Sequence, residues 1–295
     1  MALSEDSWSK SLTLRHQMAA THPNNPHIPF FPKDFLKYPW TIWDFFPATY
    51  TCPHDMQRVG RLGDGGKWVC GMSIYETLPA PLPASKSDIS NSEVRRAKVQ
   101  DAAIGTGLVI YSFGINGESS FEADMLSRIP SASMWGYDFS VEGWGAQIPA
   151  EHRNRTYFTK LGLGSTDEPS RVPPFYTLPT LMSQNNHTYI DILKIDVEGA
   201  EYKALDTMMD VFAKVGDSVL PIGQVMIELH VADGSPVGYE RFSSWWERLE
   251  KMGMRPTWME INLFAVTLGN QKSDPRCAEY VWINAKDRRN VLWRQ

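Results

Sequence analysis

The stretch that most constrains the fold runs from Tyr189 to Leu205, Tyr-Ile-Asp-Ile-Leu-Lys-Ile-Asp-Val-Glu-Gly-Ala-Glu-Tyr-Lys-Ala-Leu. Ile190, Ile192, Leu193, Ile195 and Val197 form an apolar run of the kind that a strand buried in a parallel sheet needs. The run closes on Asp196 and Glu198, Gly199 then lets the backbone turn sharply, and helix formers resume from Ala200 to Leu205. A strand that stops on carboxylates and a glycine and then enters a helix describes the carboxyl edge of an open α/β sheet. Ligands bind at that edge, because its loops collect polar groups above an apolar floor. The competing reading is a salt-bridged surface turn, but two acids closing so apolar a strand would then want for a partner.

The same alternation can be followed through the chain from Gly105. Leu108 to Phe113 reads as a strand, Gly114-Ile-Asn-Gly117 as its turn, and Ser119 to Ile129 as a helix. Ser119 with Glu122 three residues on has the pattern of a capping box. Met134 to Tyr137 is the second strand, ending on Asp138. In a nucleotide-binding layout Gly114, Asn116 and Gly117 let a ligand approach the first turn, and Asp138 accepts hydrogen bonds from ribose hydroxyls. Arg155 to Leu161 supplies a third strand, whose loop places Leu163, Gly164 and Ser165 near the base of a bound nucleoside. Leu178 to Gln184 is a short helix, and Gly223 to Val231 is the fifth strand. Phe242 to Met252 is an amphipathic helix with Trp245, Trp246 and Leu249 on its apolar side. Two last strands, near Met259–Leu268 and Glu279–Ile283, form an antiparallel hairpin.

Upstream, residues 28–50 are dense in aromatics, including Phe30, Phe31, Trp40, Trp43, Phe45 and Phe46. They either fill the core or stack at the mouth of a site. Gly63, Gly65 and Gly66 around Asp64 make a tight turn into a strand from Lys67 to Gly71, either a plain hairpin or backbone brought close to a ligand. Residues 76–92 read as a surface loop and Glu93–Ala103 as a helix. A boundary near residue 100 therefore separates an N-terminal extension, 1–100, from the ligand-binding domain, 101–295.

At 295 residues and 42% hydrophobic the chain can bury one large α/β core with additions. Its net charge of −5, with both signs interspersed, offers no basic stripe for nucleic acid. No apolar run reaches membrane-spanning length. Cys52, Cys70 and Cys277 are too few for a disulfide scaffold or a zinc site. Cys52 and Cys70 bracket one segment, and their pairing would imply an oxidising compartment. Without the features of a signal peptide at the N-terminus, reduced cysteines in the cytoplasm are expected. Asn154-Arg155-Thr156 and Asn186-His187-Thr188 match the glycosylation pattern, which matters only in a secreted chain.

Two cofactors suit this layout. A dinucleotide needs its pyrophosphate on a helix N-terminus, where Glu118 would repel it. S-adenosylmethionine carries no phosphate, and its sulfonium and amino group would be drawn to Glu118, Asp196 and Glu198. Leu193-Lys-Ile-Asp-Val-Glu-Gly-Ala-Glu201 resembles the signature of the FkbM-type S-adenosylmethionine-dependent methyltransferases. Arg61-Leu-Gly-Asp-Gly-Gly-Lys-Trp-Val-Cys70 and Tyr111-Ser-Phe-Gly-Ile-Asn-Gly-Glu-Ser-Ser-Phe-Glu122 resemble a eukaryotic methyltransferase-like branch of the group. The resemblance covers roughly residues 52 to 268. It implies a Rossmann-like class I methyltransferase fold, a mostly parallel seven-stranded α/β sheet with the C-terminal antiparallel hairpin, and usually O-methylation. It further implies Gly114, Asn116 and Asp138 around S-adenosylmethionine and Asp196 beside its methionine end. Ser112 stands where the family's first strand commonly has an acid, and Glu118 replaces a glycine.

Glu228 and His230 alternate along the fifth strand and so point to one side, next to Asp196 and Glu198. His230 is the candidate general base, since an ordinary imidazole pKa suits proton removal near neutrality, with Glu228 and Glu198 as its carboxylate company. The four could instead hold a divalent cation or orient a substrate amine. The expected function is O-methylation of a small-molecule hydroxyl. Open beside it stand N-methylation of an amine or peptide, an NAD-dependent oxidoreductase, and a non-catalytic binding protein. The sequence assigns no oligomeric state.

Overall fold

The computed structural model describes residues 2–21, 39–79, 107–214, 216, 219–231, 237–263 and 275–293. Its centre is a seven-stranded sheet built from β3 (Leu108–Phe113), β4 (Ala132–Asp138), β5 (Thr156–Lys160), β8 (Ile190–Ile195), β9 (Ile222–His230), β10 (Met254–Ile261) and β11 (Cys277–Asn284). The strands lie in the order β10-β11-β9-β8-β3-β4-β5. The run from β9 to β5 is parallel throughout. β11 runs antiparallel to both its neighbours. All six residues of β3 and all nine of β9 are buried, which is why these segments read as unbroken apolar runs.

Strand residues alternate between two cores, as the period of two requires. Val109, Tyr111, Leu193, Ile195, Val225 and Ile227 face one core, shared with α5 (Leu178–Gln184), α6 (Glu201–Lys214) and α7 (Tyr239–Lys251). Ile110, Ile192, Met226, Val281 and Ile283 face the other. That second face is covered by α4 (Ser120–Arg128), α3 (Met72–Glu76) and the antiparallel pair β1 (Met56–Val59) and β2 (Lys67–Cys70). Two short strands, β6 (Gly162–Leu163) and β7 (Phe175–Tyr176), pair at one side.

The aromatic stretch fills core where it is described. Ile42, Trp43, Phe45 and Phe46 around α2 (Ile42–Phe45) are buried. Phe46 packs on Phe242 and Trp246 of α7, with ring centroids 4.7 and 5.1 Å away. Helix α1 (Ala2–Thr21) docks on α7 through buried polar contacts. Arg15 pairs with Glu250 at 2.7 Å, and Trp8 donates to the same carboxylate at 2.8 Å. The Phe30 and Phe31 segment, the expected loop and helix over 80–103 and the boundary near residue 100 lie outside the described residues.

Three expectations need correction. Cys52 and Cys70 are not reduced: they form a disulfide, and Cys277 is the free, buried cysteine. Their pairing is at odds with the reducing compartment expected from the N-terminus. No helix among the described residues is long and apolar enough to cross a membrane. The first strand of the hairpin begins at Met254 rather than Met259, because a bulge at Pro256–Trp258 lets the edge strand carry a proline. Ser119 and Glu122 form no capping box, since Glu122 is buried and turned toward the sheet.

Candidate active site

The turn after β3 is shaped by carboxylates on neighbouring elements. Gly114 has φ of 77°, and a side chain there would strike the carbonyl oxygen of Asp196 at 1.7 Å, so the position admits only glycine. Asn116 at φ 45° and Gly117 at φ 72° continue the left-handed path, and a side chain at Gly117 would meet no atom within 4 Å. Asp138 Oδ2 accepts from the backbone amides of Ile115 at 2.7 Å and Asn116 at 2.9 Å. Its Oδ1 accepts from the amide and hydroxyl of Ser140 at 2.6 and 2.7 Å. Burial would raise the Asp138 pKa, but these bonds hold it below the ordinary value. Asp138 thus stands where strand two was expected to place it, and its two bonds to Ile115 and Asn116 shape the turn itself.

Beneath the turn, Lys194 Nζ donates to the Gly114 carbonyl at 2.7 Å and lies 3.4 Å from Glu122. Ser112 Oγ donates to the same Glu122 oxygen at 2.5 Å. The acid that β3 lacks at Ser112 is therefore supplied from α4, and this is the work that takes Glu122 away from capping. The first amides of α4 are also taken. The Ser119 amide donates to Gln147 at 3.2 Å and that of Ser120 to Glu118 at 3.0 Å. Glu118 caps the helix, and its carboxylate lies against Gly65 of the glycine turn. A pyrophosphate would find these amides occupied and an anion beside them, so the site does not suit a dinucleotide. The open turn over Gly117, with Lys194 withdrawn into the sheet, does suit S-adenosylmethionine. After β5, Leu163 is buried in the core, and the Gly164 amide donates to the Tyr176 carbonyl at 2.9 Å.

The second half of the site lies over the carboxyl ends of β8, β9 and the start of β11. Glu198 follows Asp196 at φ 52°, a strained conformation for a residue other than glycine, and its side chain is 81% exposed. It reaches His230 Nε2 at 3.3 Å. On the other side of the ring, Nδ1 meets Glu201 Oε1 at 3.0 Å, and the His230 backbone amide donates to that oxygen at 2.9 Å. Glu201 is fully buried, and its Oε2 accepts from the Gly199 amide at 2.8 Å. Burial would lower the His230 pKa. The hydrogen bond and charge of Glu201, with Glu228 and Glu198, outweigh it and raise the value to about 9. An ordinary imidazole was expected, but this one is protonated at neutral pH and cannot in that state accept a proton.

Glu228 lies directly opposite Glu279 in the β9–β11 register. Like charges so placed repel, and Lys67 answers them. The glycine turn delivers its ammonium, 1% exposed, into contact with Glu279, 3.4 Å from Asp196 and 4.0 Å from Glu228. Burial works against the Lys67 charge, yet Glu279, Asp196 and Glu228 hold its pKa above the ordinary value. Glu228 also accepts from Asn262 at 2.7 Å. Asp196 is kept below the ordinary range, since Lys67, Lys194 and His230 outweigh its burial.

The structure brings Asp196, Glu198, Glu228 and His230 together as expected. The sequence reading missed Lys67, Glu201 and Glu279. Glu201 was visible as the last acid of the Asp-Val-Glu-Gly-Ala-Glu motif, and Lys67 as the lysine ending the glycine turn. Glu279 had no local signal, because the register of β11 alone sets it against Glu228. Two groups, Asp196–Glu198–His230 and Glu228–His230–Cys277, bring potential metal donors within 4.8 Å of one another. Lys67 already brings a positive charge to Asp196 and Glu228. Burial pushes the Cys277 thiol pKa up, away from the thiolate a metal prefers.

Several solved structures are similar to this chain at low identity. The structure is similar to the Methanococcus jannaschii fibrillarin pre-rRNA processing protein, 15% identical over 79% of this chain and all of that one, with a TM-score of 0.35. It is similar to the methyltransferase FkbM of Methylobacillus flagellatus KT, 12% identical over 72% of this chain and 50% of that one, with a TM-score of 0.35. Aeropyrum pernix fibrillarin, solved with S-adenosyl-L-methionine bound, is 12% identical over 60% of this chain and 66% of its own, with a TM-score of 0.33. No curated protein matches the chain significantly. The sequence pattern of a methyltransferase-domain family, however, matches residues 2–270, so the chain belongs to that family and is an S-adenosylmethionine-dependent methyltransferase.

Proposed function

We propose that the protein methylates a hydroxyl group of a small molecule bound over the carboxyl ends of β8 and β9. The observation that carries this reading is the mixed charge of the cluster there. Carboxylates of Asp196, Glu198 and Glu228 stand among two cations, Lys67 and protonated His230. A cluster of carboxylates alone would favour an ammonium ion, as N-methylation of an amine would require. A hydroxyl uses both signs, donating to a carboxylate and accepting from a cation.

Bound S-adenosylmethionine supplies an electrophilic methyl carbon on a sulfonium that leaves as a neutral thioether. The turn Gly114–Gly117 would hold the cofactor, with Asp138 keeping the backbone of that turn in shape and the Asp196 carboxylate available to its cationic groups. Leu163 and Gly164 follow β5, with Leu163 buried in the core beside β4. The acceptor hydroxyl donates to Glu198, which is exposed, and its proton passes to that carboxylate. His230, fixed by Glu201, offsets the charge on Glu198 before transfer and on the acceptor oxygen during it. Lys67 offsets part of the charge of Glu279, Asp196 and Glu228.

The test is a panel of polyols, phenols and primary amines, each incubated with methyl-labelled S-adenosylmethionine, with products read by mass spectrometry and NMR. O-methyl products are expected. Labelled N-methyl products alone would overturn the choice of acceptor while leaving methyl transfer intact.

A further inference from the structure

Two exposed asparagines, Asn154 and Asn186, lie outside the methyl-transfer site, and each is followed two residues later by a threonine. The pattern is the acceptor signature for N-linked glycans, and it has meaning only where the chain meets the glycosylation machinery. The Cys52–Cys70 disulfide points independently to an oxidising compartment, where such bonds form and persist.

The fold leaves both positions open. Asn154 sits in the 3-10 turn Ala150–Arg155 that leads into β5. Asn186 is the residue just past the end of α5, at φ 58°, where its amide donates to the Ser183 carbonyl at 3.1 Å and that of His187 to Met182 at 2.8 Å. This helix-ending turn explains a residue that tolerates the left-handed conformation. It makes no demand on Thr188, which is exposed. Both asparagines also fall on one side of the molecule. Asn154 lies just before β5 and Asn186 just before β8, so both stand at the amino edge of the parallel strands. The active site occupies the carboxyl edge, so bulky groups on these two turns would leave its mouth clear.

We propose that Asn154 and Asn186 carry N-linked glycans and that the chain matures in an oxidising, glycosylating compartment. In the reaction the side-chain Nδ2 bonds to C1 of an oligosaccharide while the C1–oxygen bond to its carrier breaks. The amide loses one proton, and the lipid pyrophosphate that carried the oligosaccharide leaves. The co-reactant is therefore a lipid-pyrophosphate-linked oligosaccharide of that compartment.

The test uses the full chain produced in cultured eukaryotic cells, weighed before and after treatment with peptide N-glycosidase. Two glycans are expected. Asn154→Gln should remove one. Thr188→Ala should remove the other without altering the helix-ending residue, and Thr188→Ser should keep it. A glycan confined to one asparagine would overturn the assignment of the other. A bare polypeptide mass, with Cys52 and Cys70 open to alkylation, would overturn the whole inference. Since the readout is mass, neither result bears on methyl transfer, which is measured separately on the same material.

Discussion

Replacing Lys67 by methionine isolates the contact that joins the N-terminal hairpin to the active site. The side chain keeps its length and apolar stem but loses the charge that stands between Glu228 and Glu279, which oppose each other across β9 and β11. Removing one partner of a buried ion pair costs about 3–5 kcal/mol, because the other charge is left without compensation. For a chain of this size that corresponds to a fall in Tm of roughly 5–8 °C. The loss should depend on pH. Glu279 titrates at about 7 against an ordinary 4.5: burial raises it, Lys67 pulls it back, and Glu228 and Asp196 raise it again. A carboxyl raised in this way contributes its stability fully below about pH 4.5 and loses it as pH rises through about 7. Without Lys67 the Glu279 value climbs further, so the variant should suffer most near pH 8 and least near pH 5, where Glu279 takes a proton. Thermal unfolding of wild type, Lys67→Met, Glu279→Gln and the double variant at both pH values closes the cycle. The double variant should recover most of the loss near pH 8. Equal losses at the two pH values, or a double variant no more stable than Lys67→Met, would refute the argument.

Glu201→Gln should remove the charge that outweighs burial at His230, so the imidazole pKa, followed by NMR, should fall from about 9 toward or below its ordinary value. An unmoved pKa would show that Glu228 and Glu198 suffice. Asp138→Ala takes away the two hydrogen bonds that hold the glycine turn and two more to Ser140. Calorimetric titration should then show S-adenosylmethionine affinity at least tenfold weaker, about 1.4 kcal/mol, and unchanged affinity would separate the turn from the cofactor. Reducing the Cys52–Cys70 bond, which spans 18 residues, should lower stability by about 3 kcal/mol on the loop-entropy estimate. Denaturant unfolding with and without reductant measures it, and coincident curves would refute it.

The parts of this molecule legible in the sequence were those whose cause is local. A buried parallel strand has no polar face, so β3, β8 and β9 announced themselves as apolar runs, and the glycine turns and closing acids marked the ends facing a ligand. Asp196, Glu198, Glu228 and His230 could be placed together because strand periodicity fixes which side chains share an edge. What the sequence hid depends on who faces whom across the sheet. Glu279 became a partner of Glu228 through the register of β11, and only that pairing gives Lys67 its purpose. Glu122 fitted a local capping rule and was claimed instead by a lysine on another strand, whose buried charge costs more to leave alone than a helix end that Glu118 can cap. His230 shows the same ordering. Its residue type suggested a base, yet its protonation state is set by Glu201, a helix residue that folding carries to within 3.0 Å. Type and spacing therefore located the chemistry. The sign of each charge at neutral pH, on which acid and base roles turn, was decided by contacts between elements far apart in the chain.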